Sequence, residues 1–311
     1  MTGSRGLHHP LARGIGLLLG IGMAVLPLQA AEPVRGATDA GAENPRSAPM
    51  RLAFNPREGR LRYGRVAEFD FNPEDVDAER DFGREVAAQL LGRFGRDDEE
   101  ALNRYVSRVG HYLAEYANRP EVPFHFAVLD TDEVSAFAAP GGYVFVSRGA
   151  LELMEDEAEL AGVLGHEIIH VSERHIVEEL DIRGGESGVV SGLARIIGGS
   201  GDPARAAFSQ AVDEALGILL SEGLSQDDEL EADRLGTFLA ASAGYEPAAL
   251  SRFIGRVEAE AGDTITDGLA KTHPPYGERL EAMNAFLVEQ GLDGVAGRNM
   301  RERFREQVDA R

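Results

Sequence analysis

Five consecutive residues, His166-Glu167-Ile168-Ile169-His170, carry the side chains best suited to chemistry in this chain. The run around them, from Glu155 to His175, reads as one helix. A helix returns positions four apart to the same face, so His166 and His170 present two imidazoles side by side. Glu167 lies one step round, where its carboxylate can reach a water held between them. Two nitrogen ligands for zinc and a general base for the attacking water are the parts of metal-assisted peptide hydrolysis. Chance produces such a pentapeptide in roughly one chain of this length per hundred, so the rest of the sequence must supply what zinc still needs.

Catalytic zinc usually takes three protein ligands and leaves one position open. A third histidine six residues after His170, with a glycine between, is one solution, but those positions are Ile176 and Glu173. His175 lies well round the helix from the ligand face and reads as a supporting or a structural histidine. A glutamate on a second helix is the other solution, and Ser225 to Gly236 offers one. Glu229 and Asp233 are four apart on one face; Glu229 can coordinate the metal while Asp233 accepts the free N–H of a ligand histidine. Glu231 is about 200° round from Glu229 and faces elsewhere. Such an acidic run also reads as a solvated helix face; its pairing with the histidine motif favours the ligand role.

Several elements must position these groups. From Asp77, Phe82, Val86, Leu90 and Phe94 recur at helical spacing; after an Asp97–Asp98 cap, Leu102, Tyr105, Val106, Val109 and Leu113 make a second stripe. Phe124 to Leu129 reads as a strand, and Ser135 to Val146 as a strand, a Pro-Gly-Gly turn and a second strand. That hairpin is either a piece of the core or an edge beside the site that pairs with an extended peptide. Residues 181–205 are rich in Gly and Ser and read as a loop or lid. Residues 206–243 form one or two helices, Leu250 to Ala259 another, and Thr272 to Pro275 a loop opening a last core helix through Leu287. Met300, Phe304 and Val308 mark a peripheral helix in a tail over 291–311. Short strands are expected at Arg60 to Tyr63 and Val66 to Phe71.

The N-terminal residues 1–30 read as a signal peptide, with Arg5 and Arg13 before an apolar stretch and Ala30 or Ala31 for cleavage; an uncleaved anchor is the alternative. A flexible leader over 31–56 and a catalytic domain over 57–290 follow. The 311 residues contain no cysteine, which excludes disulfides, thiolate metal ligands and a lipid-modified cysteine. A formal charge of −22 disfavours nucleic acid and anionic membrane faces as partners. The expected location is the periplasm, with peripheral membrane association as an option.

With these residues in place, the chain resembles the gluzincin metallopeptidases of the CaaX prenyl endopeptidase and HtpX type, and within them the periplasmic BepA- and LoiP-like branch. The resemblance rests on His166-Glu167-x-x-His170, on Glu229-x-x-x-Asp233, on Glu231 to Gly236, on Ala136 to Val146, and on Thr272-His273-Pro274 followed by Arg279. It covers roughly residues 78–290 and departs at Ser135, where the family often has Asn, and at Gln226, where it often has Arg. It implies an α+β, mostly helical, zincin-like domain with a small active-site sheet, holding one zinc ion per chain through His166, His170 and Glu229. Glu167 is then the catalytic base, and His273 a second donor to the oxyanion or a group that occupies the open metal position. Asp233, His175 and Arg279 support the ligands from behind. Substrate lies along Ala136, Phe137, Ala138, Gly141 and Gly142, bound through its backbone with broad side-chain tolerance. The implied function is hydrolysis of unfolded or misassembled envelope and outer-membrane polypeptides. A periplasmic chaperone-like assembly factor with a silent or structural zinc site is the competing reading.

Overall fold

Apolar residues at helical spacing account for the first long helices. The structure, a computed structural model, describes residues 53–55, 60–62, 73–180, 202–261 and 272–309, all within a unit spanning Pro49–Arg311. Strands β1 (Ala53–Asn55) and β2 (Arg60–Arg62) pair antiparallel, β1 falling in the last residues of the expected leader. Helix α1 (Pro73–Phe94) opens on a proline, whose missing N–H costs nothing in a first turn, and buries Phe82, Val86 and Leu90. Helix α2 (Glu100–Ala114) buries Leu102, Tyr105, Val106, Val109 and Leu113. Its cap is Glu99, which accepts from the Ala101 N–H, and not the Asp97–Asp98 pair; Asp97 instead accepts from the Glu99 N–H.

Strands β3 (His125–Leu129), β4 (Ala136–Ala139) and β5 (Tyr143–Ser147) form a sheet in the order β3-β5-β4. β3 runs parallel to β5 and β4 antiparallel, with Ala136 opposite Val146 and Ala139 opposite Tyr143. The hairpin therefore belongs to the core and also supplies a sheet edge. Its apolar side chains enter the core, and β4 stands at an edge of the sheet.

Helix α3 (Arg148–Leu153) leads into α4 (Glu157–Ser172), the histidine-bearing helix. Asp156 caps α4 by accepting from the Glu159 N–H, and every residue of the helix is buried. A helix covered on all sides lies in the interior, and the rest of the fold wraps it. The expected single helix through His175 is corrected here. α4 stops at Ser172, Arg174 adopts a left-handed conformation (φ 62°, ψ 31°), and α5 (His175–Glu179) starts in a new direction.

Helix α6 (Asp202–Gly217) begins inside the stretch expected as a loop, and a π-helical turn, Ile218–Glu222, separates it from α7 (Gln226–Ser242). Helices α8 (Ala249–Ala261) and α9 (Tyr276–Glu289) match their expected spans closely. Helix α10 (Arg301–Val308) is not peripheral: Phe304 is 0% exposed and joins the main core, its ring 6.4 Å from that of Tyr105. The tail after residue 290 thus packs with the catalytic core. Among the described residues no helix is long and apolar enough to cross a membrane. The expected signal peptide, the strand at Val66 to Phe71 and residues 181–201 of the expected loop lie outside the described residues.

Candidate metal centre

Two helices cross where α4 carries its histidines. The crossing is close because both helices have glycine there. A Cβ on Gly165 would stand 2.8 Å from the Gly236 carbonyl oxygen, and one on Gly236 would stand 2.5 Å from the His166 nitrogen. Ser225 caps α7 by accepting from the Asp228 N–H, so Glu229 and Asp233 fall on the first turns of α7, facing α4.

The result is a buried three-residue cluster. His166 Nε2 and His170 Nε2 stand 2.9 Å apart, and the Glu229 oxygens stand 3.6 Å from each of them. One ligand atom from each residue lies within 4.8 Å of the others. Four ligands about 2.05 Å from a tetrahedral zinc would be about 3.3 Å from one another, which this cluster matches. Glu229 Oε2 is buried with no hydrogen bond, although His273 Nε2 stands 3.2 Å away. An orphaned carboxylate oxygen facing two converging imidazole nitrogens is costly in a protein interior, and a divalent cation relieves it. The donor set therefore fits zinc.

The electrostatics agree. Burial lowers both imidazole pKa values, with Asp233 opposing it at His166, so the rings favour the neutral form that binds metal. Burial drives Glu229 well above the usual carboxylate range, against the pull of Arg279. Glu167 is pushed up to about 8 by burial, again opposed by Arg279. A cation among them reverses these costs.

The supporting residues divide between the two histidines. Asp233 Oδ1 lies 3.0 Å from His166 Nδ1, and Arg279 grips Asp233 with two hydrogen bonds of 2.8 and 2.7 Å. Burial pushes Asp233 up, yet Arg279 and His166 outweigh it and hold the carboxyl well below its usual range. His170 Nδ1 lies 2.8 Å from His175 Nδ1. The left-handed turn at Arg174 brings His175 there, not the continuous helix of the sequence reading. Glu231 stays out of the ligand cluster, as expected, and stands 3.5 Å from His175 Nε2.

Two clefts meet at the cluster, both lined by Glu167 and His273. Ala136 lines both, and Phe137 and Ala138 line one. The apolar walls of the other include Val163, Leu250, Phe253 and Ile254, with Ser135 at its edge. His273 lines both clefts, its ring 5.7 Å from that of His166. Gly141 and Gly142 do not reach either cleft, which corrects their expected place along the substrate. Both are buried at positive φ, 73° and 99°, where their hydrogens face the backbones of Arg80 and Pro123.

One positioning residue escaped the sequence reading. Buried Glu79 accepts from the Gly141 N–H at 3.3 Å and contacts Arg119 and Arg174 at 3.2 Å each. It ties α1 to the turn after β4 and to the end of α4. Its signal was a carboxylate beside the apolar stripe of α1, a weak one because most such residues are solvated.

An edge strand, a buried histidine-bearing helix and a crossing helix that completes the cluster define a zincin-like metallopeptidase domain. A model of peptidase family M48 matches residues 100–286, more than half of the chain, and the chain belongs to that family. It is 28% identical over 210 residues to the beta-barrel assembly-enhancing protease of Escherichia coli (strain K12), a match covering 66% of this chain and 43% of that protein. It is 27% identical over 223 residues to mitochondrial metalloendopeptidase OMA1 of Schizosaccharomyces pombe, covering 70% and 64%. With metalloendopeptidase OMA1, mitochondrial, of Bos taurus, identity is 32% over 209 residues, covering 63% and 39%. The chain spans less than half the length of the bacterial relative.

Proposed function

We propose that this protein is an exported zinc endopeptidase that cleaves unfolded or misassembled envelope polypeptides. The observation that carries the reading is the convergence of His166, His170 and Glu229 within 4.8 Å, with Glu167 beside them. His166 and His170 would hold one zinc ion through their imidazoles and Glu229 through its carboxylate. Bound there, zinc supplies a Lewis acid that makes a water nucleophilic near neutral pH and draws charge from the scissile carbonyl.

The chain's own residues do the rest. Glu167 takes the proton of the attacking water and delivers it to the leaving amine. His273 donates to the oxygen that gains charge as the carbonyl is attacked. The edge of β4 pairs with an extended substrate through backbone hydrogen bonds, and the two clefts receive side chains on either side of the scissile bond. Backbone pairing needs a substrate that can be drawn out into a strand, which favours unfolded polypeptides. An apolar stretch after Arg5 and Arg13 supports export to the periplasm, and the name of the bacterial relative, a beta-barrel assembly-enhancing protease, supports substrates among beta-barrel proteins.

The test is casein hydrolysis by the purified protein, with zinc measured in the same sample. The reading expects one zinc per chain, activity abolished by a chelator, and recovery on adding zinc. Zinc-loaded protein with no hydrolysis of casein or of unfolded outer-membrane proteins would contradict it.

A further inference from the structure

The two candidate zinc histidines are supported in different ways. Behind His166 stands a carboxylate, Asp233, fixed by a buried arginine. Behind His170 stands a second imidazole. His175 is 2% exposed, its ring lies edge-on to that of His170 with centroids 5.1 Å apart, and the two Nδ1 atoms are 2.8 Å apart.

At that distance one Nδ1 donates and the other accepts. If His170 binds metal through Nε2, its single proton sits on Nδ1. It must then be the donor, and His175 Nδ1 the acceptor. The proton of neutral His175 is thereby confined to Nε2. That atom is buried, makes no hydrogen bond within the described residues, and faces Glu231 Oε2 at 3.5 Å and Asp228 Oδ1 at 3.8 Å. Both carboxylates come from the first turns of α7, the helix that supplies Glu229. A lone histidine behind a ligand can turn over and offer a proton to His170, which would place the wrong tautomer at the metal. A neutral histidine with two carboxylates at its far side cannot do so without facing a lone pair towards negative charge.

We propose that His175, oriented by Glu231 and Asp228, is a positioning residue that fixes the tautomer and direction of His170. The chain from α7 through His175 to α4 makes the metal affinity depend on residues that never touch the ion. The proposal rests on the reading of His170 as a ligand through Nε2. It also gives a reason for the left-handed Arg174: a continuous helix would carry the His175 ring about 140° away from the His170 face.

The experiment measures zinc dissociation constants for the full chain by competition with a chromogenic chelator at neutral pH. His175→Met keeps the bulk but offers no nitrogen acceptor, and affinity is expected to fall about 10- to 100-fold, as for other groups that orient metal ligands. His175→Gln, whose amide oxygen can accept from His170, is expected to recover part of that loss. Glu231→Gln is expected to weaken binding several-fold in the native background and to change nothing when His175 is already Met. Such non-additivity marks one connected unit, whereas general loosening of the fold would add. Native affinity in His175→Met, or equal losses from Glu231→Gln in both backgrounds, overturns the proposal. If His175→Met fails to fold, Glu231→Gln and Asp228→Asn decide alone, and native affinity in the double variant overturns it. Absence of zinc binding by the unsubstituted protein would remove the metal reading itself, whereas normal binding insensitive to these variants removes only the relay.

Discussion

Glu167 and Glu229 are both buried acids, yet their neighbours assign them different tasks. Glu229 points between two imidazole nitrogens, while Glu167 lines the cleft where a substrate carbonyl would arrive. Glu167→Gln preserves shape and removes the base. It is expected to retain full zinc content and lose about 10²- to 10⁴-fold in kcat, measured by casein turnover at matched metal loading. Retained turnover would remove Glu167 from that role. Asp233 and Arg279 form a buried pair, and breaking such a pair strands a charge in the interior. Asp233→Asn is therefore expected to cost about 3–5 kcal/mol in urea unfolding and also to weaken zinc, because His166 exchanges a charged acceptor for a neutral amide oxygen. A variant as stable as the parent would show that Arg279 finds compensation elsewhere.

At the scale of elements, the crossing of α4 and α7 decides whether the site exists. A Cβ at Gly236 would press on the His166 backbone, at 2.5 Å from its nitrogen and 2.7 Å from its Cα. Backbone cannot rotate away as a side chain can. Gly236→Ala is expected to cost at least the ~1–3 kcal/mol of an overpacked core, read as a lower thermal midpoint, and to part Glu229 from the histidines, read as lost zinc. Zinc content equal to the parent's would contradict that geometry. Much of this was legible beforehand. The i, i+4 spacing within each helix brought out His166 with His170 and Glu229 with Asp233, and alternation brought out the β4–β5 hairpin. The closeness of the crossing was not, because Gly165 and Gly236 carry no periodicity. Nor was the break after Ser172: arginine is not a residue that announces a left-handed turn, so His175 looked like a continuation of α4. Gly141 and Gly142 sit inside a motif that resembles the site of related enzymes, but their own work is to let the chain turn against α1 and Pro123.

Across the whole molecule, one buried carboxylate joins distant parts. Glu157, 0% exposed at the start of α4, accepts from Tyr105 at 2.6 Å and Tyr245 at 2.7 Å and pairs with Arg303 of α10. The tail is thus bound to the helix that carries the site, and Phe304→Ala is expected to cost about 3–5 kcal/mol as a core truncation, against nearly nothing for a peripheral helix. The same hub gives a pH dependence. Burial and the hydrogen bonds to Glu157 raise both phenols above their ordinary value. In the unfolded chain they ionise near pH ~10, while the folded protein keeps them protonated. Their contribution is fully present below about pH 10 and is lost as pH rises beyond it. Denaturant midpoints should fall above that pH, and Tyr105→Phe with Tyr245→Phe should flatten the fall. An unchanged slope in the double variant would assign the alkaline loss to other groups.

The central claim is that two imidazoles of α4 and one carboxylate of α7 hold a single divalent ion. X-ray absorption at the zinc edge, on protein loaded with one equivalent, reads that shell directly. The account predicts two imidazole nitrogens and oxygen ligands at about 2.0–2.2 Å, with the imidazole signal reduced in His170→Ala. A shell of oxygens without imidazole, or a spectrum that His170→Ala leaves unchanged, would contradict it.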